Sequence, residues 1–230
     1  MRDALVSVII PIHNGEKYLD DAINSVLHQS HSQFEIIAVD DGSTDLSAEA
    51  VKQHGSRVRY VYQDHAGTGA ARNTGVAMSR GDYLAFLDQD DVWEPEKLSC
   101  QIDAFTNTPT LDAVFGYLEQ FPSGQIAGDK GLEIPISLKR RPGISPSGML
   151  VARHAFHRVG WFDVCLKIAE WADWYLRAVD CGLRMKILEV TIAKRRIHEN
   201  NKGRVLQCYR NEYVRVLKAS LDRNRQGVLS

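Results

Sequence analysis

Gly81-Asp82-Tyr83-Leu84-Ala85-Phe86-Leu87-Asp88-Gln89-Asp90-Asp91 is the stretch on which the reading of this chain turns. Its apolar run is too short for a helix and reads as a strand, and it opens into three carboxylates within four residues. Charges of one sign that close repel, so a fold keeps them together best where a cation neutralises them. Mg²⁺ and Mn²⁺ take oxygen ligands and leave positions for substrate phosphates, which an acidic turn at a strand's end can serve. The plain alternative is a solvated turn ahead of the next helix, and the flanking sequence decides between the two.

Upstream, strand and helix patterns alternate. Leu5-Val6-Ser7-Val8-Ile9-Ile10 is rich in β-branched residues and runs into Pro11, which lacks the N–H that a central ladder uses. A buried strand is therefore expected to end at Pro11-Ile12-His13-Asn14-Gly15. From Glu16 to Gln29, residues Leu19, Ala22, Ile23, Val26 and Leu27 form the stripe of an amphipathic helix. Phe34 to Val39 is a second strand, ending in Asp40-Asp41-Gly42-Ser43-Thr44-Asp45, where Ser43 or Thr44 is placed to cap a helix reaching about His54. Val58 to Tyr62 is a third strand, followed by Gly67-Thr68-Gly69 and a small-residue helix through Met78. This alternation predicts an α/β fold with right-handed crossovers and a parallel sheet whose ligand lies outside the carboxyl ends of the strands. Three polar strand ends, 11–14, 40–45 and 88–91, then share one edge.

Downstream, a helix is expected from Trp93-Glu94-Pro95 to about Phe105, and strands at Phe115 to Phe121 and Ser147 to Val151, the latter adding to the main sheet. Between them, Ser123-Gly124, Gly128, Gly131, Pro135, Pro142-Gly143 and Pro146 mark a turn-rich middle. Lys139-Arg140-Arg141 there is either solvated surface or a receiver for an anionic substrate. Glu170 to Cys181 reads as an aromatic-rich helix ended by Gly182, Met185 to Val190 as a strand, Arg195 to Gly203 as a polar loop, and Val205 to about Arg223 as a last amphipathic helix. That last helix carries Tyr209, Tyr213, Val214 and Leu217, which suit core packing, a dimer or a membrane-bound partner.

No linker or low-complexity block divides the 230 residues, so one domain is expected. With 28 basic against 29 acidic residues, the overall charge argues against a nucleic-acid partner. No window approaches about 18 uninterrupted apolar residues, and Met1 to Pro11 is too short for a secretory leader. The expectation is a cytoplasmic protein, with peripheral association at the inner face of a membrane left open. Cys100, Cys165, Cys181 and Cys208 form no C-x-x-C pair and read as ordinary buried or half-buried thiols.

Taken together, Val8-Ile9-Ile10-Pro11-Ile12-His13-Asn14, Val39-Asp40-Asp41-Gly42-Ser43-Thr44-Asp45, Gly69-Ala70-Ala71-Arg72-Asn73-Thr74-Gly75 and Leu87-Asp88-Gln89-Asp90-Asp91 resemble the family 2 glycosyltransferases, inverting enzymes of the GT-A fold. The resemblance continues more loosely through Ser147-Gly148-Met149-Leu150-Val151, Val159-Gly160-Trp161-Phe162-Asp163 and Asp173-Trp174-Tyr175-Leu176-Arg177. It implies a Rossmann-like, mostly parallel central sheet flanked by helices. A nucleotide-binding half of about 1–108, an acceptor-binding half of about 109–203 and a C-terminal helix at 204–230 follow from it.

The resemblance also implies a nucleotide-sugar donor, uridine being the commonest base in the family, and a glycan or lipid-linked acceptor. Pro11, His13, Asn14, Asp40 and Asp41 would hold base and ribose, with His13 standing where the family most often has tyrosine. Arg72 and Asn73 match the A-R-N element that fixes the nucleotide. Asp88 and Asp90 match the D-x-D, Asp88 contacting ribose or metal and Asp90 binding the Mn²⁺ or Mg²⁺ that bridges the diphosphate. His198, with Arg195 and Arg196, matches an R-x-H element that binds metal or phosphate. An inverting transfer also needs a base for the acceptor hydroxyl. The family commonly has an adjacent Glu-Asp pair with the Asp as base; this chain reads Glu170-Trp171-Ala172-Asp173, so Trp171 occupies the base position. Glu170 is the first choice of base and Asp173 its rival. Two other readings stay open: a nucleotidyltransferase, and a nucleotide-sugar or carbohydrate-binding protein with weakened catalysis in which Trp171 is a sugar platform.

Overall fold

We describe residues 4–122, 140–199, 201 and 207–227 of the computed structural model. The strands are β1 (Val6–Ile12), β2 (Phe34–Asp41), β3 (Arg59–Gln63), β4 (Tyr83–Phe86), β5 (Val92–Trp93), β6 (Ala113–Pro122), β7 (Arg141–Pro142), β8 (Leu150–Ala152) and β9 (Met185–Ile197). The helices are α1 (Leu19–Leu27), α2 (Ser47–Lys52), α3 (Thr68–Met78), α4 (Lys97–Asn107), α5 (Arg153–Val159), α6 (Glu170–Asp180) and α7 (Asn211–Gly227). One sheet contains all the strands in the order β3-β2-β1-β4-β8-β6-β9-β5, with β7 on β6. Strands β1 to β4 are parallel, as the alternation predicts, and β8 turns antiparallel between β4 and β6.

Every residue of β1 is buried, the pattern of a parallel strand covered on both faces. Pro11 is the penultimate residue of this strand, opposite Val39, so β1 ends within the expected stretch. The carbonyl of Ile9 accepts the Leu87 N–H at 3.0 Å, so Ile9 and Pro11 both face β4, whose pairing stops at Phe86. The proline's missing N–H therefore removes no ladder bond. α3 lies tightly on the sheet: a Cβ at Gly75 would run into the Ile9 side chain.

The structure moves several expected boundaries. Ser43 and Thr44 do not cap α2, which starts at Ser47 without a side-chain cap. Their N–H groups go instead to Asp40 Oδ1 (2.8 Å) and Asn14 Oδ1 (2.8 Å). α1 starts at Leu19 because Glu16 is spent on the neighbouring loop, its N–H on Asp45 and its carboxylate on the Leu46 N–H. Ser147 sits in a 3-10 turn, Pro146–Gly148, ahead of β8. β9 continues through Ile197, so Arg195 and Arg196 are strand residues opposite Gln120 and Phe121; the long partner β6 supplies the ladder that a loop would lack. Cys165, Cys181 and Cys208 are exposed, and only Cys100 is half-buried.

Residues 123–139, with the turn signals from Ser123 to Pro135 and with Lys139, lie outside the described residues, as do Asn200 and Gly203. No helix among the described residues is long and apolar enough to cross a membrane.

Candidate active site

The acidic turn after β4 is built around Asp91. Its N–H closes the turn onto the Asp88 carbonyl at 3.0 Å, and its buried carboxyl accepts the Ser147 hydroxyl (2.7 Å) and the Arg196 N–H (3.2 Å). Burial, with the nearby Asp90 and Asp88 charges, pushes this carboxyl well above the ordinary carboxylate range. Ser147 Oγ in turn accepts the Asp88 N–H at 3.2 Å. Asp88 and Asp90 are thus presented by a turn whose third carboxyl faces inward.

The two presented carboxylates go to different partners. Asp90 Oδ2 lies 2.8 Å from His198 Nε2 and accepts Asn201 Nδ2 at 3.1 Å. Asp88 Oδ1 accepts Arg72 Nη2 at 2.7 Å. Asp90 and His198 are thus brought together while Asp88 turns to Arg72, and the three donor atoms do not converge within 4.8 Å; two carboxylates and an imidazole are nonetheless donor types that a divalent cation takes.

Arg72 on α3 is 3 % exposed, and its Nη1 reaches Glu170 Oε1 at 3.1 Å. Burial alone would lower this guanidinium's pKa; the charges of Asp88 and Glu170 outweigh it and raise the pKa. Glu170 opens α6, is itself 3 % exposed, and shares this arginine with Asp88. Asp173, the rival base, is held by Arg177 at 2.8 and 2.7 Å, and Arg177 also donates to the Val159 and Trp161 carbonyls. That makes Asp173 part of a scaffold joining α6 to the loop after α5. Trp171 is half-buried, stacks on Trp174 and donates its indole N–H to the Ile144 carbonyl at 3.2 Å.

Around the ends of β1 and β2 the expected residues divide. Asn14 adopts φ 51°, donates its N–H to Ser43 Oγ and accepts Thr44 N–H, so it joins two loops. Asp40 is buried, accepting the Tyr60 hydroxyl at 2.6 Å and the Ser43 N–H. Burial and this contact push the Tyr60 phenol well above its ordinary value. Asp41 faces the other way, accepting Gln63 Nε2 (2.7 Å) and the N–H groups of Ala66 and Gly67 (2.8 Å each). Gly67 holds φ 100° there, a conformation a side chain would strain, at the entry to α3. Asn73 spends its amide on both backbone groups of Phe162 (2.9 and 3.0 Å), fastening α3 to the loop before α6.

Sequence reasoning missed Gln89, whose amide accepts the His13 N–H (2.8 Å) and donates to the His13 carbonyl (3.1 Å), clamping the β1 loop to the acidic turn. It also missed His65, Asn201 and Glu212. Arg196, expected at phosphate, is 9 % exposed and committed to the Asp90 carbonyl, Asp21 and the Tyr18 ring, whereas Arg195 is exposed.

With this geometry in place, the comparisons agree on a class. The family model for Glycosyl transferase family 2 matches residues 7–144, and the chain belongs to that family. An uncharacterized glycosyltransferase of Nostoc is 34 % identical over 212 residues, covering 85 % of this chain and 66 % of the relative. The putative teichuronic acid biosynthesis glycosyltransferase TuaG of Bacillus subtilis is 37 % identical over 138 residues, 58 % of this chain and 54 % of TuaG. The chain spans 20–66 % of the length of the first curated relatives it matches. Among solved structures, S. aureus TarS 1-349 in complex with UDP-GlcNAc superposes with a TM-score of 0.76 at 20 % identity, over 95 % of this chain and 66 % of that one. The fold is therefore the GT-A fold expected from the motifs, and family membership sets aside the nucleotidyltransferase reading.

Proposed function

We propose that this chain transfers a sugar from a nucleoside-diphosphate sugar, with uridine as the leading base, to a carbohydrate or lipid-linked acceptor with inversion at the anomeric carbon. The observation that carries the proposal is the shared grip of Arg72 on Asp88 and Glu170, which couples the acidic strand end to the candidate base. That TarS has been solved with UDP and UDP-GlcNAc supports a nucleotide-sugar donor here, and TuaG supports an envelope polysaccharide as the product class. Asp88, Asp90 and His198 would hold Mn²⁺ or Mg²⁺, which when bound neutralises charge on the departing diphosphate.

The chain's own groups supply the rest. Arg72 orients Asp88, and Asn201 orients Asp90. Both candidate carboxylates are held by an arginine, Asp173 by Arg177 and Glu170 by Arg72; we assign the acceptor hydroxyl's proton to Glu170 because its arginine is the one that also holds the acidic turn. Asp41, which ends β2 beside the start of α3, is the carboxylate we assign to the base.

The test compares release of nucleoside diphosphate from UDP-sugars by wild type, Glu170→Gln and Asp173→Asn. The glutamine variant is expected to lose about 10²-fold or more in turnover with UDP affinity kept. The asparagine variant is expected to keep turnover but unfold earlier. Equal turnover by Glu170→Gln would remove Glu170 as base; donor binding without turnover in any form, wild type included, would favour the binding-protein reading.

A peripheral membrane role rests on α7, whose outer face exposes Val214 (66 %), Leu217 (53 %) and Leu221 (59 %) beside the exposed Arg210, Lys218 and Arg225. Interleaved apolar and basic residues suit an anionic bilayer surface. Co-sedimentation with anionic but not neutral vesicles, lost in Leu217→Ser/Leu221→Ser, is the expected result; equal recovery with both would contradict it.

A further inference from the structure

Two imidazoles and one buried carboxylate converge at the ends of β1, β2 and β3, none of them a residue of the acidic turn. His13 follows β1, Asp41 ends β2 and His65 follows β3; one ligand atom from each lies within 4.8 Å of the other two. His13 Nδ1 is 2.8 Å from the Asp41 carbonyl oxygen, and His65 Nδ1 is 3.1 Å from the same oxygen and 3.0 Å from Asp41 Oδ2. The ring centroids are 4.3 Å apart. Because a carbonyl oxygen only accepts, both Nδ1 atoms carry their protons toward Asp41.

We propose that His13, His65 and Asp41 form a zinc-binding site, distinct from the site of Asp88 and Asp90, whose occupancy excludes the nucleotide. The proposal of a site stands on three features. The donors are two imidazoles with carboxylate and carbonyl oxygen, a set that favours four-coordinate zinc over Mg²⁺, which takes oxygen ligands in octahedral geometry. Ligand atoms around a tetrahedral zinc stand about 3.3 Å apart at the usual bond lengths, so the hydrogen-bonded spacings of 2.8–3.1 Å need to open by only a few tenths of an ångström. Each ring does this by moving its proton from Nδ1 to the outward Nε2, which frees the inward lone pair without a change of charge.

The third feature is orientation. The Asp41 carboxylate is aimed by Gln63 Nε2 and by the Ala66 and Gly67 N–H groups, the outer support that fixes a metal-ligating carboxylate. It is 2 % exposed, and among the described residues its ion-pair partner is His65, with no lysine or arginine in contact. A cation there meets an anion that the fold has buried without a fixed counter-charge. Both histidines remain exposed, which gives the ion an entry path. Exclusion of the nucleotide rests on the proposed function, in which Asp41 meets the base.

Calorimetric titration of Zn²⁺ into the nucleotide-free chain tests the site. In the Asp90→Asn background, where the acidic turn no longer competes for the ion, His65→Ala and His13→Ala are each expected to weaken zinc binding at least about tenfold. Circular dichroism would confirm that the exposed-residue variants are folded, and Co²⁺ bound in place of zinc should give the visible absorption of a four-coordinate ion. Zinc affinity unchanged by His65→Ala in that background, or no zinc binding in it at all, would overturn the site. In a second arm, Zn²⁺ is expected to weaken UDP binding in wild type and not in His65→Ala, with Mg²⁺ saturating. Independent binding of zinc and UDP would overturn the exclusion. Zinc binding in a chain that binds no nucleotide under any condition would uphold the site and count against the donor reading instead.

Discussion

Arg72 and Glu170, separated by 98 positions in the chain, meet in a buried ion pair with Nη1 3.1 Å from Oε1. The second nitrogen of the same guanidinium reaches Asp88, so one side chain joins α3, the acidic turn and the start of α6. A planar fork with two directed donors does this; a lysine ammonium is a point charge on a flexible stem and cannot hold both carboxylates in the same way.

Arg72→Met leaves Glu170 buried without its arginine and is expected to destabilise the chain by about 3 kcal/mol. Urea unfolding measures this. Arg72→Lys should recover part of the stability but not donor turnover, because only one of the two carboxylates is then held. Full activity in the lysine variant would contradict the role assigned to the fork.

Glu212 on α7 accepts the N–H groups of Lys167, Ile168 and Ala169, the residues leading into α6. Burial alone would raise this carboxyl's pKa; the three backbone donors outweigh it and hold it below the ordinary glutamate value of 4.5. A carboxylate so depressed contributes stability that is fully present above 4.5 and is lost as the pH falls through its lower folded value. Glu212→Gln should therefore cost about 1–3 kcal/mol at neutral pH, and the difference from wild type should shrink in acid. A difference that stays constant from neutral pH into strong acid would show that the charge is irrelevant.

Lys97 is buried on α4 with its amine 2.8 Å from Gln101 Oε1 and over the Trp93 ring at 4.0 Å, and burial pushes its pKa well below 10.5. Between the folded value and 10.5 the unfolded chain binds the extra proton, so stability rises with pH through that window. Thermal unfolding of wild type and Lys97→Met as the pH is raised toward 10 should show wild type gaining on the variant. Parallel curves would mean that Lys97 carries its charge when folded.

The first four strands and the acidic turn were legible because apolar period, β-branched content and a run of carboxylates are local properties of the sequence. Which carboxylate faces inward was not. Asp91, Asp90 and Asp88 differ by their partners Ser147, His198 and Arg72, which only the folded chain brings near. Asn14 and Asn73 carry polar side chains that a nucleotide could use, yet the fold gives both to loop and backbone partners. Asparagine at Asn14 also suits the left-handed backbone there, a conformational reason that no motif states. Glu212 was illegible for another reason: its partners are backbone N–H groups, which carry no side-chain signature. The extension of β9 over Arg195 and Arg196 depended on the length of β6, a long-range pairing that no local window contains.

The most direct measurement is calorimetric binding of a panel of nucleoside diphosphates, with and without Mn²⁺, to wild type and Asp90→Ala. Tight binding of one nucleotide, UDP foremost, that requires both Mn²⁺ and Asp90 is the predicted result. Absence of metal-dependent binding to any nucleotide would mean that the acidic turn after β4 is only a turn, and would contradict the donor site on which the transfer depends.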